Sequence, residues 1–177
     1  CTSGTTGKPK GAELSHANLL LNCAVVVPKL LPLAADEVAL ATLPLFHSFG
    51  QTCIQNTMIS LGATFTLLPR FTPEDALGVI QRDRVTLFAG VPTMYFGILN
   101  HEGAEAFDTS SIRWCMCGGA PMPVEVMKAF EAKYDVTILE GYGLSETSPV
   151  ASFNVLDRPR KVGSIGYPVW GVEMCIM

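Results

Sequence analysis

Four short apolar runs, VALATL at 38–43, ATFTLL at 63–68, VTLFA at 85–89 and IRWCMC at 112–117, are separated by segments long enough to form helices. That alternation constrains the fold more than any other feature of the chain. Each run is rich in β-branched, aromatic or other apolar residues and is predicted to be a strand, with a fifth at VTIL, 136–139. Ser15 suits an N-cap for a helix running to about Val27 and ended by Pro28. A second apolar helix is predicted from about Gln51 to Leu61. Thr72 caps a third, with Pro73 at its first position and Glu74 and Asp75 in its first turn. Shorter helices are predicted from Pro92 to Asn100 and from Pro123 or Val124 to Lys133. Strands joined through helices require right-handed crossovers. The predicted fold class is therefore α/β, with a layered, largely parallel sheet and flanking helices. Beyond Pro149 the order is looser, and strands are expected near 164–165 and 172–176.

In such sheets a ligand sits at the C-terminal ends of the strands. The turns Gly90 to Thr93, Gly118 to Pro121 and Gly141 to Thr147 each follow a predicted strand. They are expected to line one crevice.

The chain opens with TSGTTGKPKG, residues 2–11. Gly4 and Gly7 let backbone approach a ligand without a Cβ clash. Successive amide N–H groups make an anion-binding concavity. The hydroxyls of Thr2, Ser3, Thr5 and Thr6 add donors, and Lys8 and Lys10 add charge. A Walker loop requires four residues between its glycines and a Ser or Thr after its Lys. Here two residues separate Gly4 from Gly7 and Pro9 follows Lys8, so that reading fails. Taken alone, the segment reads either as a phosphate-binding loop or as a flexible linker.

In GYGLSETSP, 141–149, Glu146 is an acid among hydroxyls. A carboxylate beside phosphate needs a cation between them, and magnesium takes one or two carboxylates with phosphate oxygens. The competing reading is a helix N-terminus with Ser145 as the cap. Tyr142 is placed to lie flat on a nucleobase. A serine-hydrolase elbow requires a second Gly where Thr147 stands, and no His follows Ser145. In PLFHSFG, 44–50, His47 is either a satisfied structural histidine or a donor to a carboxylate or phosphate.

Hydrophobic residues make up 49% of the 177 residues, charged residues 16%, and the net charge is −4. No basic block is present, which argues against nucleic acid as a partner. The balance is more apolar than usual for a domain of this size. Some apolar surface is therefore expected to be covered by chain outside this sequence. The longest apolar run, about Leu19 to Leu33, contains Pro28, Lys29 and Pro32 and is shorter than the ~20 residues of a membrane span. Six cysteines match no zinc or disulfide framework and read as reduced thiols of a cytoplasmic protein. The first residue is not Met, which leaves an upstream targeting signal open.

Together TSGTTGKPKG, PLFHSFG, GGAPMP, EGYGLSETSP and VGSIGYPVWGVE resemble, in order, the signature blocks of the adenylate-forming superfamily. That superfamily includes acyl-CoA synthetases, peptide-synthetase adenylation domains and beetle luciferases. GYGLSET looks more like acyl-CoA synthetases than peptide-synthetase domains, and PLFHSFG is similar to fatty-acyl ligases. The resemblance implies an enzyme that joins a carboxylic acid to ATP, releasing pyrophosphate, and passes the acyl group to coenzyme A. The alternatives are loading of a carrier protein and a non-catalytic nucleotide-binding module.

The resemblance also implies roles by position. The loop from Thr2 through Ser3, Gly4, Thr5, Thr6, Gly7 and Lys8 to Lys10 closes on the β- and γ-phosphates. Gly118, Gly119, Ala120 and Pro121 border the adenine, with Gly141, Tyr142 and Gly143 beside it and Tyr142 stacked upon it. Glu146 holds Mg2+, assisted by Thr2. Thr147 and His47 lie near the α-phosphate and the acid. The acyl pocket is lined near His47, Phe49, Val91, Pro92 and Gly118. Lys10, His47, Glu146 and Thr147 are the implied catalytic set. Residues 1–177 correspond to part of a large N-terminal AMP-binding domain. The segment that holds ribose and a small C-terminal domain lie outside this sequence, so adenylation by these residues alone is expected to be inefficient. Lipid substrates would bring such a protein to membrane surfaces. The oligomeric state stays open, with a homodimer among the options.

Overall fold

The computed structural model describes residues 7, 8 and 10–177. Seven strands form one sheet: β1 (Val38–Ala41), β2 (Thr64–Leu67), β3 (Leu87–Gly90), β4 (Trp114–Cys117), β5 (Ile138–Gly143), β6 (Val150–Phe153) and β7 (Tyr167–Pro168). Their spatial order is β2-β1-β3-β4-β5-β6-β7. The first five run parallel, and β6 and β7 are antiparallel to their neighbours. The α/β expectation is met.

Alternation along the parallel strands builds two cores. Ala39, Ala41, Leu87, Ala89, Met116 and Leu139 face one side. Leu40, Phe88, Cys115, Cys117 and Ile138 face the other. Helical runs 16–30 and 49–61 cover the first face, supplying Val27, Leu30, Ile54 and Met58. The helices Pro73–Asp83, Pro92–Leu99 and Val124–Tyr134 cover the second with Leu77, Ile80, Tyr95, Ile98 and Phe130. Both faces are dry, which is why the central strands are continuously apolar rather than alternating with polar residues.

Two polar groups tie this packing together. Tyr95 is fully buried between Phe88 and Phe130, with ring centroids at 5.0 and 4.9 Å. Its hydroxyl donates to the Met116 carbonyl at 2.8 Å, with the Phe88 carbonyl at 3.2 Å. The Pro92–Leu99 helix is thereby fastened to β3 and β4. At the N-terminal ends of the strands, Glu37 is buried beneath three donors. It accepts from the Thr86 hydroxyl and from Trp114 Nε1 at 3.2 Å, and pairs with Arg113 at 3.0 Å. The starts of β1, β3 and β4 are so held in register.

Thr72 caps its helix as expected, its hydroxyl accepting the Asp75 amide at 3.1 Å. Ser15 likewise caps His16–Leu21 in a reciprocal pair with Asn18. Three expectations are corrected. Pro28 does not end the first helix. A π turn at Asn22–Val26 precedes it and the helix resumes over Val27–Leu30. The wider turn gives the proline ring room against the preceding carbonyls, so its missing N–H is absorbed. The second helix starts earlier, as a π-helix over Phe49–Asn56 continuing into Thr57–Leu61. The expected strands at 164–165 and 172–176 are absent, and both segments are irregular chain that follows turns at 162–163 and 170–171. The Ser164 amide bonds the Lys161 carbonyl at 3.1 Å and the Val172 amide the Val169 carbonyl at 3.0 Å. The strands in this region are β6, hidden behind Pro149 but buried at every position, and the two-residue β7.

Cys23, Cys53, Cys115 and Cys117 are buried free thiols, whereas Cys175 is exposed. Burial pushes the Cys53 and Cys117 thiols up to about 12, and Cys115 higher still. The neutral form therefore dominates in the folded state throughout the physiological range, and unfolding restores ordinary acidity. Native labelling with iodoacetamide at pH 8, read peptide by peptide in a mass spectrometer, is expected to modify Cys175 and spare Cys53, Cys115 and Cys117 until denaturant is added. Removing the buried hydroxyl with Tyr95→Phe leaves the Met116 carbonyl without its donor. It is expected to lower the unfolding free energy in urea by about 1–2 kcal/mol.

Candidate functional site

The strand order reverses at β1, which has β2 on one side and β3 on the other. In open α/β sheets such a reversal opens a crevice beyond the strand ends. A cavity of about 630 Å³ lies beyond the C-terminal ends of β1, β4 and β5, within the range of small-molecule sites. Three segments wall it: His47 to Phe49 after β1, Gly118 and Gly119 after β4, and Gly141 to Glu146 from the end of β5. Lys10 adds a cation, and Cys53, Val150 and Phe153 add an apolar floor.

The walls meet through close packing. A Cβ on Gly118 would lie 3.4 Å from the Phe49 ring and 3.5 Å from the Gly141 carbonyl. The His47 loop is thus set directly against the ends of β4 and β5. On β5, a Cβ at Gly141 would fall 2.0 Å from the Phe153 ring, and one at Gly143 would fall 2.3 Å from the Pro149 carbonyl. Both positions need the bare backbone so that β6 can approach. Gly141 to Gly143 therefore belong to a strand, where a turn was expected. Tyr142 between them is 41% exposed and lines the cavity.

The loop after β5 is closed by Thr147. Its hydroxyl accepts the Leu144 amide at 2.9 Å and lies within bonding reach of the carbonyls of Leu144 and Pro149. The expected helix at Ser145 is a single 3₁₀ turn, Ser145–Thr147, for which Thr147 rather than Ser145 supplies the capping hydroxyl. Thr147 lies off the cavity lining, while its neighbours Ser145 and Glu146 are on it. On the opposite wall, His47 Nδ1 accepts the Phe49 amide at 3.2 Å. In the neutral ring the proton then sits on Nε2, which makes that nitrogen a donor. Ser48 is a further lining residue, and its hydroxyl oxygen is buried without a protein partner.

Of the residues singled out in the sequence, the cavity gathers Lys10, His47, Phe49, Gly118, Gly119, Gly141, Tyr142, Gly143 and Glu146. Ala120 and Pro121 are exposed beyond its rim, and Pro92 is buried behind it. Val91 packs under the wall: its Cγ1 lies 3.3 Å from where a Gly119 Cβ would sit. Of the three turns expected to share a crevice, two line the cavity and Gly90 to Thr93 supports them from below. Gly7 and Lys8 are exposed outside the lining. Thr2, Ser3, Gly4, Thr5, Thr6 and Pro9 lie outside the described residues. Ser48, Cys53, Val150 and Phe153 were not singled out as site residues, and Ser145 was considered only as a helix cap or a hydrolase serine. Ser145 carried a signal, as a hydroxyl next to the acid, but the apolar floor becomes visible only once β6 is known.

Among the described residues no group of three or more His, Cys, Asp or Glu is arranged to hold a metal. The cavity does offer the exposed Glu146 carboxylate beside the Ser145 hydroxyl. That donor set fits a magnesium ion that draws its other ligands from phosphate oxygens and water. No helix among the described residues is long and apolar enough to cross a membrane.

The sequence is similar to those of known proteins. It is 42% identical over 168 residues to a long-chain-fatty-acid–CoA ligase of Bacillus subtilis (strain 168), an overlap covering 94% of this chain and 30% of that protein. It is 41% identical over 172 residues to a feruloyl-CoA synthase of Amycolatopsis sp, covering 94% and 34%. The fold superposes with a TM-score of 0.89 on the crystal structure of an anthranilate CoA ligase in complex with anthranoyl-AMP, at 29% identity over 96% of this chain and 33% of that one. The chain thus spans about a third of the length of these relatives. The model of the AMP-binding enzyme family matches residues 1–177, and with that match running through the whole sequence, the chain belongs to the AMP-binding enzyme family.

Proposed function

We propose that the protein is an ATP-dependent acid–thiol ligase of the acyl-CoA synthetase type, with residues 1–177 as part of its N-terminal AMP-binding domain. The observation that carries this reading is the cavity, which places Lys10, His47, Tyr142, Ser145 and Glu146 around an apolar floor. The carboxylic acids and acyl-adenylate named for the relatives support it. Exposed Leu20, Leu21, Phe46 and Ile59 agree with apolar surface that is covered in a larger domain.

In the first half-reaction an oxygen of the substrate carboxylate bonds to the α-phosphorus of ATP. The bond from that phosphorus to the bridging oxygen breaks, and pyrophosphate leaves with its electron pair. In the second half, the thiol of coenzyme A gives up its proton to solvent and its sulfur bonds to the acyl carbon; the bond from that carbon to the phosphate oxygen breaks, and AMP leaves with the electron pair. Neither half needs a nucleophile from the protein. The demand is for oriented charge where negative charge accumulates. Lys10 stands at the phosphate side, with Thr2 to Lys8 completing that loop. Gly118 to Pro121 and Gly141 to Gly143 border the adenine, and Tyr142 stacks on it. His47 donates through Nε2 to the carboxylate or the α-phosphate, and Ser145 adds its hydroxyl. Thr147 acts by holding the loop in which Ser145 and Glu146 sit. Magnesium, held by Glu146 with help from Thr2, would supply counter-charge to the phosphates. Phe49, Cys53, Val150 and Phe153 make the tail pocket apolar, with Val91 and Pro92 behind its wall. An apolar acid is therefore the substrate class, and the protein works in the cytoplasm or at a membrane surface from which lipid acids are drawn.

In the intact protein, Lys10→Ala is expected to slow pyrophosphate–ATP exchange by about 10²-fold or more; an unchanged rate removes Lys10 from the phosphate site. Glu146→Ala is expected to shift the magnesium titration of the same exchange to higher concentration, whereas superimposable titrations would rule out its metal role. A screen of exchange over aliphatic acids of increasing length and over hydroxycinnamic and benzoic acids is expected to select apolar acids. Absence of exchange with every acid, alongside ATP binding, would identify a nucleotide-binding module without catalysis.

A further inference from the structure

The helix that supplies Phe49 and Cys53 to the cavity is a π-helix, Phe49–Asn56. Such helices occur mostly as single turns inside α-helices, and they are frequent at functional sites. This one is held at both ends. At its start it lies hard against the end of β1: a Cβ on Gly50 would fall 2.6 Å from the Pro44 carbonyl and 2.9 Å from the Leu43 carbonyl. At its far end it is closed by Thr57, which is fully buried. The Thr52 carbonyl accepts the Thr57 amide, five residues on, and also the Thr57 hydroxyl at 2.8 Å.

Thr57 also stands at the junction with the second π turn, Asn22–Val26. There the Val27 amide bonds the Asn22 carbonyl. In the same register the Cys23 carbonyl would be met by residue 28, and Pro28 has no N–H to give. The Thr57 hydroxyl oxygen lies 3.4 Å from that carbonyl. One hydroxyl thus stands between a carbonyl of each helix. A valine would fill the same space without burying a polar group, so packing does not explain the hydroxyl, whereas the carbonyls it serves do. The residue after it, Met58, is wholly buried in the core, which anchors Thr57–Leu61. An α register at 52–57 would take one residue out of the turn. It would rotate Phe49 and Cys53 about the helix axis relative to that anchor.

We propose that Thr57 is a positioning residue for the choice of acid: by closing the π-helix on the Thr52 carbonyl, it holds Phe49 and Cys53 as the wall of the acyl-tail pocket. The inference rests on the ligase reading above, which makes that wall a contact of the acid. It assigns Thr57 no contact with the substrate.

The test compares Thr57→Val, which keeps the shape and removes the hydroxyl, with Thr57→Ser, which keeps the hydroxyl. Pyrophosphate–ATP exchange of the intact protein is measured over straight-chain acids of increasing length. The readout is the ratio of kcat/KM for the best acid of wild type to that for the acid two carbons longer. Thr57→Val is expected to change this ratio about fivefold or more while the KM for ATP moves less than about twofold, and Thr57→Ser is expected to keep the ratio within about twofold of wild type. Exchange of the Thr57 amide, followed by NMR or mass spectrometry, is expected to be slow in wild type and Thr57→Ser and about tenfold faster or more in Thr57→Val. A wild-type ratio in Thr57→Val overturns the proposal, as does an equal loss over all acids. If Thr57→Val does not fold, the decision passes to the other two proteins. Rapid exchange of the Thr57 amide in wild type, or a Thr57→Ser variant whose ratio shifts fivefold while that amide stays protected, then overturns it. Absence of exchange with every acid in wild type removes the ligase reading and this proposal with it, whereas exchange with an unaltered acid profile in Thr57→Val removes the role of Thr57 alone.

Discussion

Burial of both faces of the parallel strands β1, β3, β4 and β5 is the constraint on which everything else depends. Strands enclosed in this way have no side on which to carry polar side chains. β3 is buried at each of its positions, and β4 at all but Trp114. Polar chemistry is therefore driven to the two ends of the sheet, and the two ends differ. At the N-terminal ends, Glu37 spends its acceptors on Thr86, Trp114 and Arg113. Those contacts fix strand register and leave little to offer a ligand. At the C-terminal ends the backbone turns through glycines, and the space above them stays open as the cavity.

The antiparallel addition of β6 completes that cavity. Phe153 fits beneath Gly141, and the Pro149 carbonyl fits against Gly143, only because both positions lack a Cβ. With glycines flanking it, Tyr142 is presented to the cavity at the end of β5. Thr147 then folds the loop back on itself, using its own hydroxyl inside the loop, while Ser145 lines the cavity and Ser148 is buried. The three hydroxyls that look equivalent in SETS are divided by geometry: Thr147 builds the loop, Ser148 is buried and Ser145 faces the ligand space.

Much of this was legible in the sequence because it follows from local chemistry. The capping hydroxyls of Ser15 and Thr72, the apolar strand runs and the glycine turns after them each depend on a few adjacent residues. What escaped notice depends on contacts between distant segments. The β6 strand exists because β5 offers it an edge, and VASF has no alternation to announce it. Pro28 reads as a stop, but the π turn before it makes room for the ring. Thr57 looks like an ordinary helix residue, and the Cys23 carbonyl beside its hydroxyl belongs to another helix that no residue pattern marks. Within the site, His47 and Glu146 could be named as candidates from their neighbours. The separation of Ser145 from Thr147 required the folded loop.

The arrangement of charge also separates the proposed chemistry from its rivals. A hydrolase would require a base beside Ser145, and His47 is instead on the wall formed after β1, with Nδ1 already occupied by the Phe49 amide. Its remaining nitrogen is a donor in the neutral ring, which suits an oxygen that gains negative charge and not a hydroxyl that must lose a proton. Lys10 and Glu146 line the same cavity with opposite charges. A simple anion site has no use for Glu146, because the carboxylate opposes the ligand. It becomes useful when a cation shares the site, and a polyphosphate with magnesium is a ligand that needs both signs at once. The apolar floor of Cys53, Val150 and Phe153 is equally hard to reconcile with a nucleotide alone. Beside a wall that carries Lys10 and Glu146 it leaves room for a second, apolar reactant, and bringing two reactants together is the main service the proposed reaction asks of a protein.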